Sequence, residues 1–342
     1  MKKTNFKLVL TSIVLAINVF AQTNNSQHKI AKKIDVGGEG TWDYLAVDEP
    51  AQHLFLSHAT VVSVIDLKTD KVLATIPDTK GVHGIAIAND LNKGFTSNGK
   101  DTSITVFDLK NLTVVEKVKI KGIKPDAIIY DVFSHKVFAF NGKSNDATVM
   151  DAKTNKIIET IKLAGKPEFS VTDEKGIVFV NIEDKNSITA IDVNTLKVKS
   201  IWNISPGEEP TGLALDNKNH RLFAVCGNKL MVVVNAENGK VITTIPIGDN
   251  CDGVAFDSDI GIVYATNGDG TVTVVKQENE NTYKVIETIQ IQKKVKTITL
   301  NKTTHQLYVP TAEYMDTAEP AKEKPKSKPT LKPNTFAVLV IE

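Results

Sequence analysis

The chain has 342 residues, 41 basic against 40 acidic, 41% apolar residues and two cysteines. This near-neutral balance gives no electrostatic reason to expect a polyanion partner. Arg221 is the only arginine, so the planar, bidentate reading of bases is poorly supplied and nucleic-acid recognition is disfavoured. G-x-S-x-G, HExxH, phosphate-loop and dinucleotide patterns are all missing, so no enzyme class follows from a motif.

Residues 1–21 carry Lys2, Lys3 and Lys7, then an apolar run from Leu8 to Phe20, then Ala21 before the polar QTNNSQ. That order is expected of a secretory signal peptide cleaved after Ala21. The run is too short for a bilayer, and no later segment reaches the ~20 apolar residues of a transmembrane helix. No cysteine lies near the cleavage site to carry a lipid. The expectation is a periplasmic or secreted product, with 22–28 as a disordered leader and 29–342 as a single domain. Removing the three lysines leaves 38 basic residues against 40 acidic.

The segment from His53 to Ile87 reads as four short strands rich in β-branched residues, separated by Asp, Lys, Thr and Gly turns. It recurs. With Asp66 of the motif VID as anchor, equivalents fall at Asp108, Asp151, Asp192, Asn235, Lys276 and Glu342, at spacings of 42, 43, 41, 43, 41 and 66 residues. Four strands per period of about 40 residues predict an all-β, seven-bladed β-propeller of four-stranded antiparallel blades. The units run 43–84, 85–127, 128–170, 171–212, 213–254, 255–297, and 298–342 plus 29–37. The last unit stops at a third strand, and Lys29–Val36 matches a fourth, so the N-terminal strand should pair with the C-terminal one and close the ring.

Strand parity places a site. The loop from second to third strand and the loop into the next blade emerge on one face. Aligned starts of the innermost strands put Asp43, His83, Asp126, Glu168, Thr211, Asp252 and Lys296 around the channel mouth. Aligned ends of the second strands add His58, Asn98, Asn141, Ile182, Cys226, Asn267 and Thr311 just outside. The opposite face carries ordinary Asp/Asn/Lys/Gly turns (LKTDK, AKTNK, AENGK).

The pattern YATNGDGT, VSVID and TTIPIGDNCDG resembles the YVTN repeat of YncE-like bacterial seven-bladed propellers over essentially the whole mature chain. The resemblance implies a binding or scaffold protein; with the ring face, the expectation is a monomer that takes a small ligand, cation or protein partner at the channel mouth. Single-stranded DNA binding belongs to one branch, but no aromatic row alternates with basic residues on the expected face. Related propellers also include metal-assisted lactonases and lyases, which makes a hydrolase or lyase at the same mouth the alternative. Asn235, Lys276 and Glu342 depart from the Asp anchor, and Lys296 departs from the acidic mouth.

The ring offers carboxylate ligands and one imidazole to a divalent cation, or a polar site for a small molecule; solvation of strand ends explains the same residues without a ligand. Asp126 or Glu168 could act as general base if the mouth raises its pKa. Trp42 can stack on a flat ligand or seal the contact between first and last blades. Cys226 and Cys251, both expected at the mouth, suggest a disulfide in an exported protein, with unpaired packing or soft metal ligation beside His58 or His83 as the alternatives. The insertion at 314–335, with four prolines and five lysines from Met315 to Thr335, is too polar to fold alone, and its base should lie on the mouth face.

Overall fold

The computed structural model describes residues 27–315 and 330–342. The expected signal peptide, most of the leader and most of the insertion lie outside the described residues. Seven four-stranded antiparallel sheets form the blades, at residues 42–76, 82–119, 125–162, 167–203, 210–246, 251–290, and 299–341 with 30–35. Blade starts fall within a few residues of the expected units. Among the described residues no helix is long and apolar enough to cross a membrane.

The repeated Asp anchor has a local cause. Asp66, Asp108, Asp151 and Asp192 each accept backbone N–H groups two or three residues ahead, which stabilises the tight turn into the fourth strand. Where Lys276 stands instead, the hairpin runs on: the two outer strands of blade 6 extend through Thr271–Asn279 and Thr282–Gln290 and turn at Glu280 and Asn281. Arg221 of blade 5 braces that longer turn through Glu280 O at 2.8 Å and Asn281 Oδ1 at 3.0 Å.

Blades are held together face to face. The third residue of every second strand is aromatic and buried: Phe55, Phe95, Phe138, Phe179, Phe223, Tyr264 and Tyr308. Each packs in an apolar layer shared with a neighbouring blade, so no blade has a core of its own.

Closure occurs as the sequence suggests. Ile30–Asp35 pairs antiparallel with Ala337–Ile341, giving blade 7 its fourth strand. Lys29 and Glu342 exchange backbone hydrogen bonds at 2.9 and 3.0 Å. Ile34 is buried with Trp42, Leu45, Leu56 and Val338, which ties the strand to blade 1 as well. Ile34→Ala is expected to cost about 2–4 kcal/mol in equilibrium denaturation, whereas exposed Ile30→Ala should stay within about 0.5 kcal/mol. Equal effects would mean that this strand is not part of the closing core.

Candidate functional site

Six of the seven inner strands have a register shift at their entrance, between Trp42/Leu45, Val82/Ile85, Pro125/Ile128, Pro167/Ser170, Pro210/Leu213 and Cys251/Gly253. Asp43, His83, Asp126, Glu168, Thr211 and Asp252 sit in these bulges, where the strand is free to re-aim one side chain. Polar residues clamp the bulges across blade boundaries. Ser97 Oγ donates to Asp126 O, Asn181 Nδ2 to Thr211 O at 3.0 Å, Thr266 Oγ1 to Lys296 O at 2.7 Å, and Thr297 Oγ1 to Asp43 O. Neighbouring blades therefore fix the backbone that presents the ring.

Three ring residues meet directly. His83 Nδ1 lies 2.6 Å from Asp43 Oδ2 and 3.7 Å from Asp126 Oδ1. One ligating atom from each of Asp43, His83 and Asp126 lies within 4.8 Å of the others. Their side chains are 10–26% exposed, sheltered yet reachable from the mouth. Glu168 instead engages Lys166 Nζ at 2.6 Å, and the same ammonium contacts Glu183. Lys124 Nζ stands 3.7 Å from Asp126 Oδ2. Thr211 is committed to the wall, its Oγ1 donating to Cys251 O at 2.9 Å.

Below the ring, Tyr44 of blade 1 and Phe169 of blade 4 meet with ring centroids 5.3 Å apart. The equivalent position in the other blades holds Gly84, Ala127, Gly212, Gly253 and Thr297, all small. The aromatic pair floors the mouth, and Phe169 also lines a central cavity of about 440 Å³ that reaches Glu174, Asn217 and Lys302.

The mouth concentrates negative charge. Burial raises the Asp126 pKa, and the Asp43 charge adds to it against the opposing pull of His83. Burial lifts Glu168 to about 7, with Lys166 holding it down and Asp126 pushing it up. Burial and the Asp43 charge lift Asp252 to about 6 against the pull of Lys296. Burial alone would lower the pKa of His83, but the Asp43 hydrogen bond and the Asp126 charge outweigh it, and the net shift is upward. Burial, then the charges of Asp126, Asp43, Glu168 and Asp252, drive the Tyr44 hydroxyl well above its ordinary value, so it remains a neutral phenol.

The side chains of the second expected ring are engaged within and between the blades. Asn98, Asn141 and Asn267 are buried, and their amides donate to Ser103 and Thr105, to Asp146 and Thr148, and to Thr271 and Thr273 of their own third strands. They staple the strand ends rather than face the mouth. His58 is buried against Phe336 at 4.6 Å, and burial lowers its pKa. Trp42 stacks on Phe336 at 4.8 Å and seals blade 7 to blade 1, away from the channel. Thr311 Oγ1 donates to Gln292 at 2.9 Å. The expected disulfide is absent. Cys226 and Cys251 are free and buried, in the core between blades 4 and 5 and in that between blades 5 and 6 respectively, so blade 5 lies between them. Burial pushes the Cys226 thiol up to about 12.

Lys296 stands in the connector ahead of the short inner strand Thr299–Asn301, exposed beside the mouth. The base of the insertion also lies on this face, where Tyr314 bridges to Leu331 and lines a pocket with Asp252 and Lys296. Sequence reasoning missed Tyr44 and Phe169 as a floor, and Lys124, Lys166 and Glu183 as ring partners. The signal for the lysines was present as Lys-Pro-acid in consecutive connectors, Lys124-Pro125-Asp126 and Lys166-Pro167-Glu168.

No protein-family model matches the chain, and no curated protein matches it. Solved structures do. A structure titled Kuenenia stuttgartiensis Hydrazine Synthase superposes with a TM-score of 0.69 at 14% identity, over 78% of this chain and 91% of that one. One titled Structure of U3-55K gives 0.75 at 9% identity over 90% and 97%, and one titled Crystal structure of RRP9 WD40 repeats gives 0.75 at 9% over 91% and 97%. At these identities the likeness shows the seven-bladed propeller fold alone.

The raised acids set a pH dependence. The folded state holds their protons more tightly than the unfolded chain, so their stabilisation is present at acid pH and is lost as pH rises from the unfolded carboxylate value through the folded one. His83, also raised, has the same sign. The thermal midpoint is expected to fall between about pH 5 and about pH 7.5, and Glu168→Gln to remove the part of the decline nearest neutrality. A profile that rises over this range in both proteins contradicts the charge balance described.

Proposed function

We propose that the chain is an exported, monomeric propeller of the YVTN-repeat type that binds a divalent cation, or a small ligand carrying positive charge, at the channel mouth. One observation carries the reading: Asp43, His83 and Asp126, from three successive blades, bring two carboxylates and an imidazole within 4.8 Å of one another. The surplus of mouth carboxylates supports it, because a bound cation relieves a repulsion that otherwise has to be relieved by protons. A mixed oxygen and nitrogen donor set suits manganese or zinc better than calcium, which prefers oxygen alone. Export rests on the sequence of residues 1–21, and the YVTN assignment on the repeat pattern.

Neutral imidazole and ionised carboxylates are the ligating forms, so a cation competes with protons at His83 and Asp126, both of which hold a proton more tightly than usual. Titration calorimetry of purified protein with Mn²⁺ and Zn²⁺ is expected to show one site that weakens as pH falls from about 8 to about 5.5. His83→Gln and Asp126→Asn should each weaken it at least about tenfold. Binding that ignores both substitutions would place the cation elsewhere, and the absence of any stoichiometric site would remove the proposal.

A further inference from the structure

The seven ring positions are not equally occupied by their neighbours. Asp43, His83 and Asp126 satisfy one another, Glu168 is held by Lys166, and Thr211 by Cys251 O. The side chains of Asp252 and Lys296 are the remainder: neither forms a hydrogen bond or ion pair with another described residue. They are close enough to influence each other electrostatically but do not touch. Both line a cavity of about 490 Å³ on the side of the mouth formed by blades 4 to 7, a volume within the usual ~300–1,000 Å³ of small-molecule sites.

The walls of this cavity carry both signs. Glu183, Glu209 and Asp252 supply carboxylates, and Lys294 and Lys296 approach from the connector into blade 7. Lys294 is steadied by its ammonium lying 4.1 Å from the ring centre of Tyr314. A simple anion entering here meets three acids, and a simple cation meets two lysines. A molecule with a positive and a negative end satisfies both walls at once, and spans the gap that Asp252 and Lys296 leave between them.

We infer that this half of the mouth binds a small zwitterion of the amino-acid or dipeptide class, with its ammonium toward Asp252 and its carboxylate toward Lys296. The inference rests on the mouth being a binding site and names a ligand class for the part that the cation proposal does not use. Opposed charged groups favour such a ligand through charge-assisted hydrogen bonds in a partly desolvated pocket. The ammonium end has a second acceptor within the same cavity in Glu209, and the carboxylate end a second donor in Lys294.

The test is calorimetric titration of metal-free full-length protein at about pH 7.5, where Asp252 is ionised, with three matched probes. These are glycylglycine, its C-terminal amide carrying only the positive end, and N-acetylglycylglycine carrying only the negative end. Glycylglycine is expected to bind at least about tenfold more tightly than either blocked form. Lys296→Gln should weaken glycylglycine about tenfold while leaving the amide unchanged, and Asp252→Asn should do the converse with the acetylated probe. Circular dichroism confirms that each variant is folded. Equal affinity for all three probes overturns the inference. So does absence of dipeptide binding while Mn²⁺ still binds through Asp43, His83 and Asp126, a result that leaves the cation reading intact; if neither ligand binds, both fail.

Discussion

The structure depends on one pairing, between Ile30–Asp35 and Ala337–Ile341. A propeller blade has two apolar faces and no core of its own, so every blade needs two neighbours. In a ring, that requirement is met only if first and last blades also meet. Here the N-terminal strand completes blade 7, and Trp42, Phe336 and His58 fill the junction with blade 1. Gly38, at φ +80°, lets the chain pass over the His58 ring at this seam; a Cβ there would lie 2.7 Å from its Cε1. The mouth inherits its geometry from this closure, because Asp43 belongs to the first blade and Lys296 leads into the last.

Closure also explains how a rigid ring can carry unfavourable electrostatics. Four carboxylates belong to the inner ring, and three of them, Asp126, Glu168 and Asp252, are raised above the ordinary carboxylate range mainly by burial. Separate blades would drift apart to relieve this. The clamps from Ser97, Asn181 and Thr297 oppose that by holding three of the bulges to the adjoining blade, and Thr266 does the same for the connector at Lys296. The Tyr44–Phe169 contact lies beneath this charged mouth, with Phe169 at the wall of the central cavity. Proton uptake by the raised carboxylates relieves this repulsion.

Much of the fold could be read from the residues because its determinants are local and repeated. The Asp66-type anchor is a turn residue, the alternating apolar strands define blade faces, and the unfinished last repeat points to the segment that completes it. The positions of six inner-strand bulges were legible for the same reason, since one bulge recurs at one alignment position. The outer ring was not. Alignment places Asn98, Asn141 and Asn267 along the chain at the mouth, but it does not tell that their amides turn back to Ser or Thr hydroxyls and an Asp carboxylate on the third strand. Cys226 and Cys251 share a height in the ring yet face different cores, a distinction that depends on side-chain direction across blade 5. The Tyr44–Phe169 contact joins blades three apart, and no repeat pattern reports a contact across the channel.

The account stands or falls on whether the cluster from three adjoining blades holds a cation. Anomalous diffraction from crystals grown with Mn²⁺ at about pH 8 decides this most directly. The account predicts a single strong peak bound by the carboxylates of Asp43 and Asp126 and by Nδ1 of His83. A mouth with no peak there, and His83 still bridging the two aspartates, would contradict it.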